Sequence, residues 1–462
     1  MRKAAKLARK EAKRAAREGA AVEEAAAPSV AVVKGQKRPR EEGASSAAVS
    51  GSEGGTETVP KVFYRPSVRL PRDGGSSTAA YRASKTITVE DTRAVEAGAC
   101  GGGDGGEAFA PLTSFELLGD NFTPAQLSIV KGFKEPSPIQ AQSWPIALSG
   151  RDMIGIAQTG SGKTIAFLLP ALVHIAAQAP LRGGRDGGSG PIMLVLSPTR
   201  ELAMQTAAVA EKAGEACGLR SICIYGGVSK GPQIAALSGR SGGTHIVVAT
   251  PGRLKDLLED ASTGISLGRV TFVVLDEADR MLDEGFEREV RQILATIPAP
   301  VGGTRQTLMF SATWPEAVRG IAATFMHAPV KVVIGSEDLS ANHSVTQRVE
   351  VIEDRARDAR LQVLLQQYHG VQGRTNRIIV FVLYKKECDR VSQALERAGW
   401  RNGAIHGDLS QDKRTQAFNA FKAGTVPILV ATDVAARGLD IPNVEFVINY
   451  SFPLTIEVRD AE

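Results

Sequence analysis

The stretch VTFVVLDEADRML, residues 270–282, decides the fold. Its first six residues are β-formers, apolar on consecutive rather than alternate positions. That pattern suits a strand covered on both faces, hence a parallel sheet with helices on each side. The run ends on Asp276 and Glu277. Two adjacent carboxylates are costly inside a core but sensible at the carboxyl end of a strand, beside a metal ion. An acid-rich start to the helix beginning at ADRML accounts for one of these acids. It does not account for their pairing with the phosphate-type loop upstream.

Similar runs recur at 152–157, 191–197, 221–227, 245–251 and 307–313, each closed by a polar or glycine-rich turn and followed by helical sequence. A second series follows at 377–382, 403–408, 427–433 and 445–450. The expected class is α/β, with two tandem doubly wound parallel-sheet domains. The expected divisions are a disordered basic and glycine-rich arm over 1–110, a first domain over 111–335, a linker over 336–345 and a second domain over 346–462. RGGRDGGSG (182–190) reads as a surface loop.

Composition narrows the function classes. The 462 residues carry a net charge of +5, a weak lean toward a polyanionic partner and far short of a histone-like balance. The four cysteines form no CxxC pair, which argues against a zinc site or a disulfide framework. No apolar run approaches the roughly 20 residues that a membrane helix needs. The opening MRKAAKLARKEAKRAAREGA reads as a basic helix or a transit peptide, and KGQKRPREE as a nuclear-import cluster or a solvated charge run. The glycine- and serine-rich remainder of the arm lacks the apolar surface to offset its ordering entropy.

AQTGSGKT (157–164) follows the run at 152–157 and opens a helix. The backbone N–H groups of Ala157, Gln158, Thr159, Gly160, Ser161 and Gly162 would wrap phosphates at a helix N-terminus. Lys163 would reach the β- and γ-phosphates and Thr164 would bind Mg²⁺. A strict P-loop has Gly where Ala157 stands. Asp276 would hold Mg²⁺ through water, and Glu277 would orient or deprotonate the attacking water.

AQTGSGKT, PTRELAMQ, TPGRL, VLDEADRML and SAT occur in the order in which they resemble the motif series of DEAD-box ATP-dependent RNA helicases. The resemblance covers about residues 112–456 and implies RecA-like domains, ATP with Mg²⁺, and RNA as partner. GFKEPSPIQ (132–140) is similar to the Q motif, in which Gln140 reads adenine and Phe115 stacks on it. The resemblance implies RNA-backbone contacts by Pro198, Thr199 and Arg200, by Gly226 and Gly227, and by Thr250, Pro251, Gly252 and Arg253. It makes Ser311 and Thr313 the residues that couple hydrolysis to strand separation.

In the second domain IIVFVLYKK (378–386) resembles motif IV, with Tyr384 where Thr is usual. Gln411 and Arg414 of HGDLSQDKR, and Thr432 and Gly438 of ATDVAARGLDIP, are implied RNA contacts. Asp440 is implied at the nucleotide ribose, and Arg437 at a phosphate or the interdomain contact. Family members continue from a NYDxP-like stretch to HRIGRTGR, whose arginines act on the γ-phosphate. This chain gives NYSFPLTIE and VRDAE, with Arg459 the one arginine nearby. The expectation is a shortened second domain, with a hydrolysis-impaired, nucleotide-dependent RNA clamp as the alternative to an active helicase. SWPIALSGRDMIGIAQTGSGKT, SATWPEAVR and FPLTIE, with the basic arm, resemble the nucleolar ribosome-assembly subgroup. That implies a nuclear and nucleolar location, pre-ribosomal protein partners and a monomer that does not engage membranes.

Overall fold

The computed structural model describes residues 60–65, 76–93, 109–181, 190–237, 243–283, 285–298, 305–335, 345–369, 376–432 and 443–452. Most of the N-terminal arm, most of the 182–190 loop and the 336–345 linker, and Arg437, Gly438, Asp440 and Arg459 lie outside these residues.

In chain order the first sheet contains β1 (Ile87–Asp91), β2 (Met153–Ile156), β3 (Met193–Leu196), β4 (Ser221–Ile224), β5 (Ile246–Ala249), β6 (Phe272–Leu275), β7 (Gln306–Ser311) and β8 (Val330–Ile334). The second contains β9 (Arg377–Val382), β10 (Asn402–Ile405), β11 (Ile428–Thr432) and β12 (Val444–Asn449). Their spatial orders are β1-β8-β2-β7-β6-β3-β5-β4 and β10-β11-β9-β12. Every pairing is parallel except β1 with β8.

The central strands β2, β3, β5, β6 and β7 are buried at every position. Alternate side chains enter two cores on opposite faces of the first sheet, one with Val195, Phe272 and Phe310, the other with Leu196, Val273 and Met309. The second sheet has its own pair, around Val380 and Val430 on one face and Phe381 and Leu429 on the other. The described residues of both sheets fall in one compact unit.

The arm expected to be disordered to about residue 110 supplies structure to the first lobe. A helix spans Ser76–Ser84, and β1 extends the sheet antiparallel to β8. Arg151 clamps Asp91 with two hydrogen bonds of 3.0 and 2.6 Å, holding that carboxyl below its usual range. Farther upstream, Phe63 and Tyr64 donate backbone N–H groups to the Leu148 carbonyl at 2.6 and 2.9 Å, and Lys61 Nζ donates to the Arg305 carbonyl at 2.7 Å. These short pieces carry little periodicity of their own. They are ordered by bonds to residues far away in sequence. β8 also went unread: VKVVI is interrupted by a lysine, and its place is set only by pairing with β1 and β2.

His174, in the helix Lys163–Ala176, is 1% exposed, with Nε2 2.8 Å from Thr271 Oγ1 and its ring against Phe272. Burial lowers its pKa to about 3, with the Lys61 charge adding to the effect. The unfolded chain binds this proton below pH ~6.5 while the folded chain does not, so stability is lost as pH falls from ~6.5 toward the folded value. The loss should be on the order of 1 kcal/mol per pH unit. Burial moves Asp152 the other way, so the effect is read as a difference. Urea midpoints of wild type and His174→Gln should converge as pH falls from 7 to 5. Parallel curves would show that His174 is not the titrating group.

Candidate nucleotide and RNA site

Three neighbouring strands assemble the first cluster. In the order β2-β7-β6, their carboxyl ends carry AQTGSGKT, SAT and DEAD. The next three, β3-β5-β4, end in PTRE, TPGR and Gly226-Gly227. Strand order therefore separates a phosphate-type cluster from an arginine-rich one along a single rim, with β6 and β3 adjoining.

In the phosphate loop, Gly160 and Gly162 have φ of 74° and 91°, left-handed values that glycine adopts without cost. Gly162 precedes the helix that Lys163 opens. Lys163 is buried and donates from Nζ to the Ala157 carbonyl at 3.0 Å. The Ala157 N–H donates to the Ser311 carbonyl at 3.0 Å, tying loop to SAT. Gln158, Thr159 and Gly160 are exposed, and Thr164 is half-buried. Ser161 Oγ is a buried hydroxyl without a hydrogen-bond partner among the described residues. An orphan hydroxyl among left-handed glycines at a helix N-terminus fits a phosphate group.

A Cβ on Gly162 would lie 2.5 Å from Gln140 Nε2. Gly162→Ala should therefore weaken ATP binding about ten-fold or more, through both the clash and the left-handed backbone. Calorimetric titration checks it, and unchanged affinity would exclude this loop as the phosphate site.

Gln140 has a more immediate task than reading adenine. Its Oε1 accepts from the Ser137 N–H at 3.0 Å, and its Nε2 donates to the Gly162 carbonyl at 3.0 Å. The amide thus caps the helix Pro138–Leu148 and braces the phosphate loop. Phe115 is half-buried, 6.5 Å from Trp144 between ring centroids, and lines a shallow recess with Leu127, Val130 and Phe133.

Asp276 is 3% exposed. Burial and the neighbouring Glu277 push its pKa up to about 7, with Lys163 opposing. A buried carboxyl pressed this way favours a cation beside it, which fits Mg²⁺ held by Asp276 and Thr164. Glu277 has φ of 52°, uncommon for a non-glycine residue and costing about 1–3 kcal/mol.

The residue that joins DEAD to SAT is Asp279, which the sequence reading passed over. Its Oδ2 accepts from the N–H groups of Ala312 and Thr313 at 3.1 and 2.9 Å and from Thr313 Oγ1 at 2.8 Å, and its own N–H donates to Ser311 Oγ at 3.3 Å. Ser311 and Thr313 are thus brought to the acidic cluster as expected. The available signal was the third acid of the motif, three residues after Asp276.

The arginines read as phosphate contacts are engaged within the chain. Arg200 Nη1 donates to Gln411 Oε1 at 3.0 Å, lying so close over Gly227 that a Cβ there would be 2.3 Å from it. Arg253 donates to Gln233 Oε1 at 3.3 Å and to the Val228 carbonyl at 3.0 Å. Arg414 Nη2 lies 2.7 Å from Glu201 Oε1, which also accepts from Gln411 Nε2 at 3.4 Å. Glu201 was missed beside Arg200, although its buried carboxylate is the acceptor that joins the lobes. A guanidinium has five N–H donors, so each arginine can hold these partners and still offer others to phosphate.

Thr199 spends its hydroxyl on the Leu202 N–H at 3.2 Å as a helix cap, with Pro198 just before it. Thr250 and Thr432 are 7% and 6% exposed. Pro251, Gly252 and Arg253 form the first turn of the helix Pro251–Leu258, where N–H groups are unpaired within the helix.

The DEAD/DEAH box helicase family model matches residues 137–321, and the helicase conserved C-terminal domain matches residues 356–460. The chain is 56% identical over 359 residues to DEAD-box ATP-dependent RNA helicase 5 of Oryza sativa, covering 77% of this chain and 67% of that protein. The Arabidopsis thaliana protein of the same name is 54% identical over 76% of this chain and 63% of its own length. ATP-dependent RNA helicase dbp3 of Sclerotinia sclerotiorum is 51% identical over 76% and 57%. The chain thus spans between 57% and 67% of the lengths of these three relatives. Among solved structures, S. cerevisiae Dbp5 bound to RNA and ADP BeF3 is 28% identical, with a TM-score of 0.62 over 74% of this chain and 82% of that one.

Proposed function

Because the chain belongs to the DEAD-box family of ATP-dependent RNA helicases, we propose that it binds ATP in the first lobe, grips RNA backbone between the lobes and couples hydrolysis to local strand separation. The observation that carries this reading is the juncture of three strand ends, at which Asp279 holds SAT against DEAD beside the phosphate loop.

The residues divide the work. Lys163 and the loop N–H groups bind the triphosphate, and Asp276 with Thr164 would hold Mg²⁺, which neutralises phosphate charge when bound. Glu277 orients a water and takes its proton. Thr313, bonded to Asp279, transmits a change at the acidic cluster along β7. Glu201, Gln411 and Arg414 couple the lobes, so that closure on nucleotide and closure on RNA are one event. Contacts to phosphate and sugar imply little sequence preference and affinity that falls with salt.

We assign the chain to ribosomal RNA processing in the nucleus and nucleolus, as a monomer with pre-ribosomal proteins as partners, on the resemblance of residues 143–164 and 311–319 to the nucleolar subgroup. Imaging of a tagged chain together with pre-ribosomal RNA profiles on depletion tests this assignment.

The decisive assay for the activity is phosphate release and duplex displacement by the purified chain, with and without RNA. RNA-stimulated release with displacement supports the helicase reading. Nucleotide-dependent RNA retention without turnover would instead make the chain a clamp. No uptake of adenine nucleotide by folded protein would overturn both.

A further inference from the structure

We propose that Tyr384 is a base-stacking residue, which gives the second lobe an aromatic contact to single-stranded RNA in addition to its backbone contacts. The inference rests on the RNA-binding reading above and adds a base contact to it. Tyr384 stands two residues beyond the carboxyl end of β9, and β9 lies between β11 and β12. Thr432, the last residue of β11, and the turn His406-Gly407-Asp408 after β10 lie at the same end of the sheet, and Thr432 is in register with Val382 at the end of β9. Gln411, a few residues further along, already reaches Arg200 of the first lobe. Tyr384 is therefore on the rim that faces the arginine-rich cluster.

Its side chain is not consumed by the fold. Tyr384 is the residue before the helix Lys385–Arg397, with extended φ and ψ of −118° and 143°, and its hydroxyl does not cap that helix. Glu387 closes the helix start in its place, with Oε2 accepting the Leu383 N–H at 3.1 Å and Oε1 accepting the Ser451 hydroxyl at 2.9 Å. A threonine here would be a good cap and a small hydrogen-bond donor. A tyrosine is neither needed for packing nor placed in a core: it is 63% exposed. Next to it, Lys385 Nζ pairs with Asp408 Oδ1 at 2.7 Å, and Lys386 is exposed. An exposed aromatic face at this rim, with the exposed Lys386 following it in sequence, suits a nucleobase, and every base offers a face to it.

The test is fluorescence anisotropy with labelled ten-nucleotide single-stranded RNA and a non-hydrolysable ATP analogue, titrated across salt, for wild type, Tyr384→Phe, Tyr384→Ala and Tyr384→Thr. The expected result is a loss of about five- to a hundred-fold in affinity for Ala and Thr, with Phe close to wild type. The slope of log affinity against log salt should be unchanged, because stacking releases no counterion. A 2-aminopurine placed in the RNA should be quenched by wild type and Phe but not by Ala. Equal binding by Ala and wild type overturns the proposal. So does a Phe variant as weak as Ala, or a slope reduced by ~0.7, either of which would mark a polar phosphate contact. Failure of wild type to hold RNA with nucleotide would sink the functional reading as well, whereas intact wild-type binding with a silent Ala variant sinks this proposal alone.

Discussion

Replacing Glu277 with Gln is expected to lower RNA-stimulated ATP turnover by about 10²–10⁴-fold, the range for losing a positioned general base. Nucleotide-dependent retention of RNA should survive. Glu277 is held off the strand by its left-handed backbone, while Asp279 carries the SAT contacts and Asp276 would carry the cation. The exchange removes one proton acceptor and leaves the local shape in place. Single-turnover phosphate release separates chemistry from binding. A turnover drop accompanied by an equal loss of ATP affinity would mean that Glu277 helps hold nucleotide and is not the base.

The second large effect lies between the lobes. Glu201 and Arg414 are 6% and 11% exposed at their side chains and 2.7 Å apart. Removing one partner of such a buried pair leaves the other charge unpaired, at a cost of about 3–5 kcal/mol. Here the lobes can separate and let Arg414 hydrate, so the cost should fall on closure and leave each lobe's own stability nearly unchanged. Glu201→Ala should therefore weaken nucleotide-dependent closure by about 10²–10⁴-fold. Fluorescence transfer between dyes on the two lobes measures it, with thermal melting as the control. Arg414→Ala should match it, and the double variant should be little worse than either single one. Closure at wild-type nucleotide concentrations in Glu201→Ala would refute the coupling.

Much of this molecule was legible along the chain. Consecutive apolar runs such as FVVL and MLVL announce strands buried on both faces, because a parallel sheet covered by helices leaves no polar side to alternate with. The glycines and Lys163 of the phosphate loop, and the acids after β6, are local chemistry whose spacing alone restricts what they can do. The placement of Ser311 and Thr313 against the acidic cluster followed from the ordered motif set.

What tertiary structure decided concerns partners distant in sequence. Nothing near Asp279 says that its carboxylate will collect three donors from residues 312–313, and nothing near Glu201 says that it will meet residues 411 and 414. Nor does ITVED announce a strand until β8 lies alongside it. Residue identity and spacing set the backbone pattern and the available chemistry. Which donor meets which acceptor depends on the strand order, and that order is fixed by packing both faces of each sheet at once.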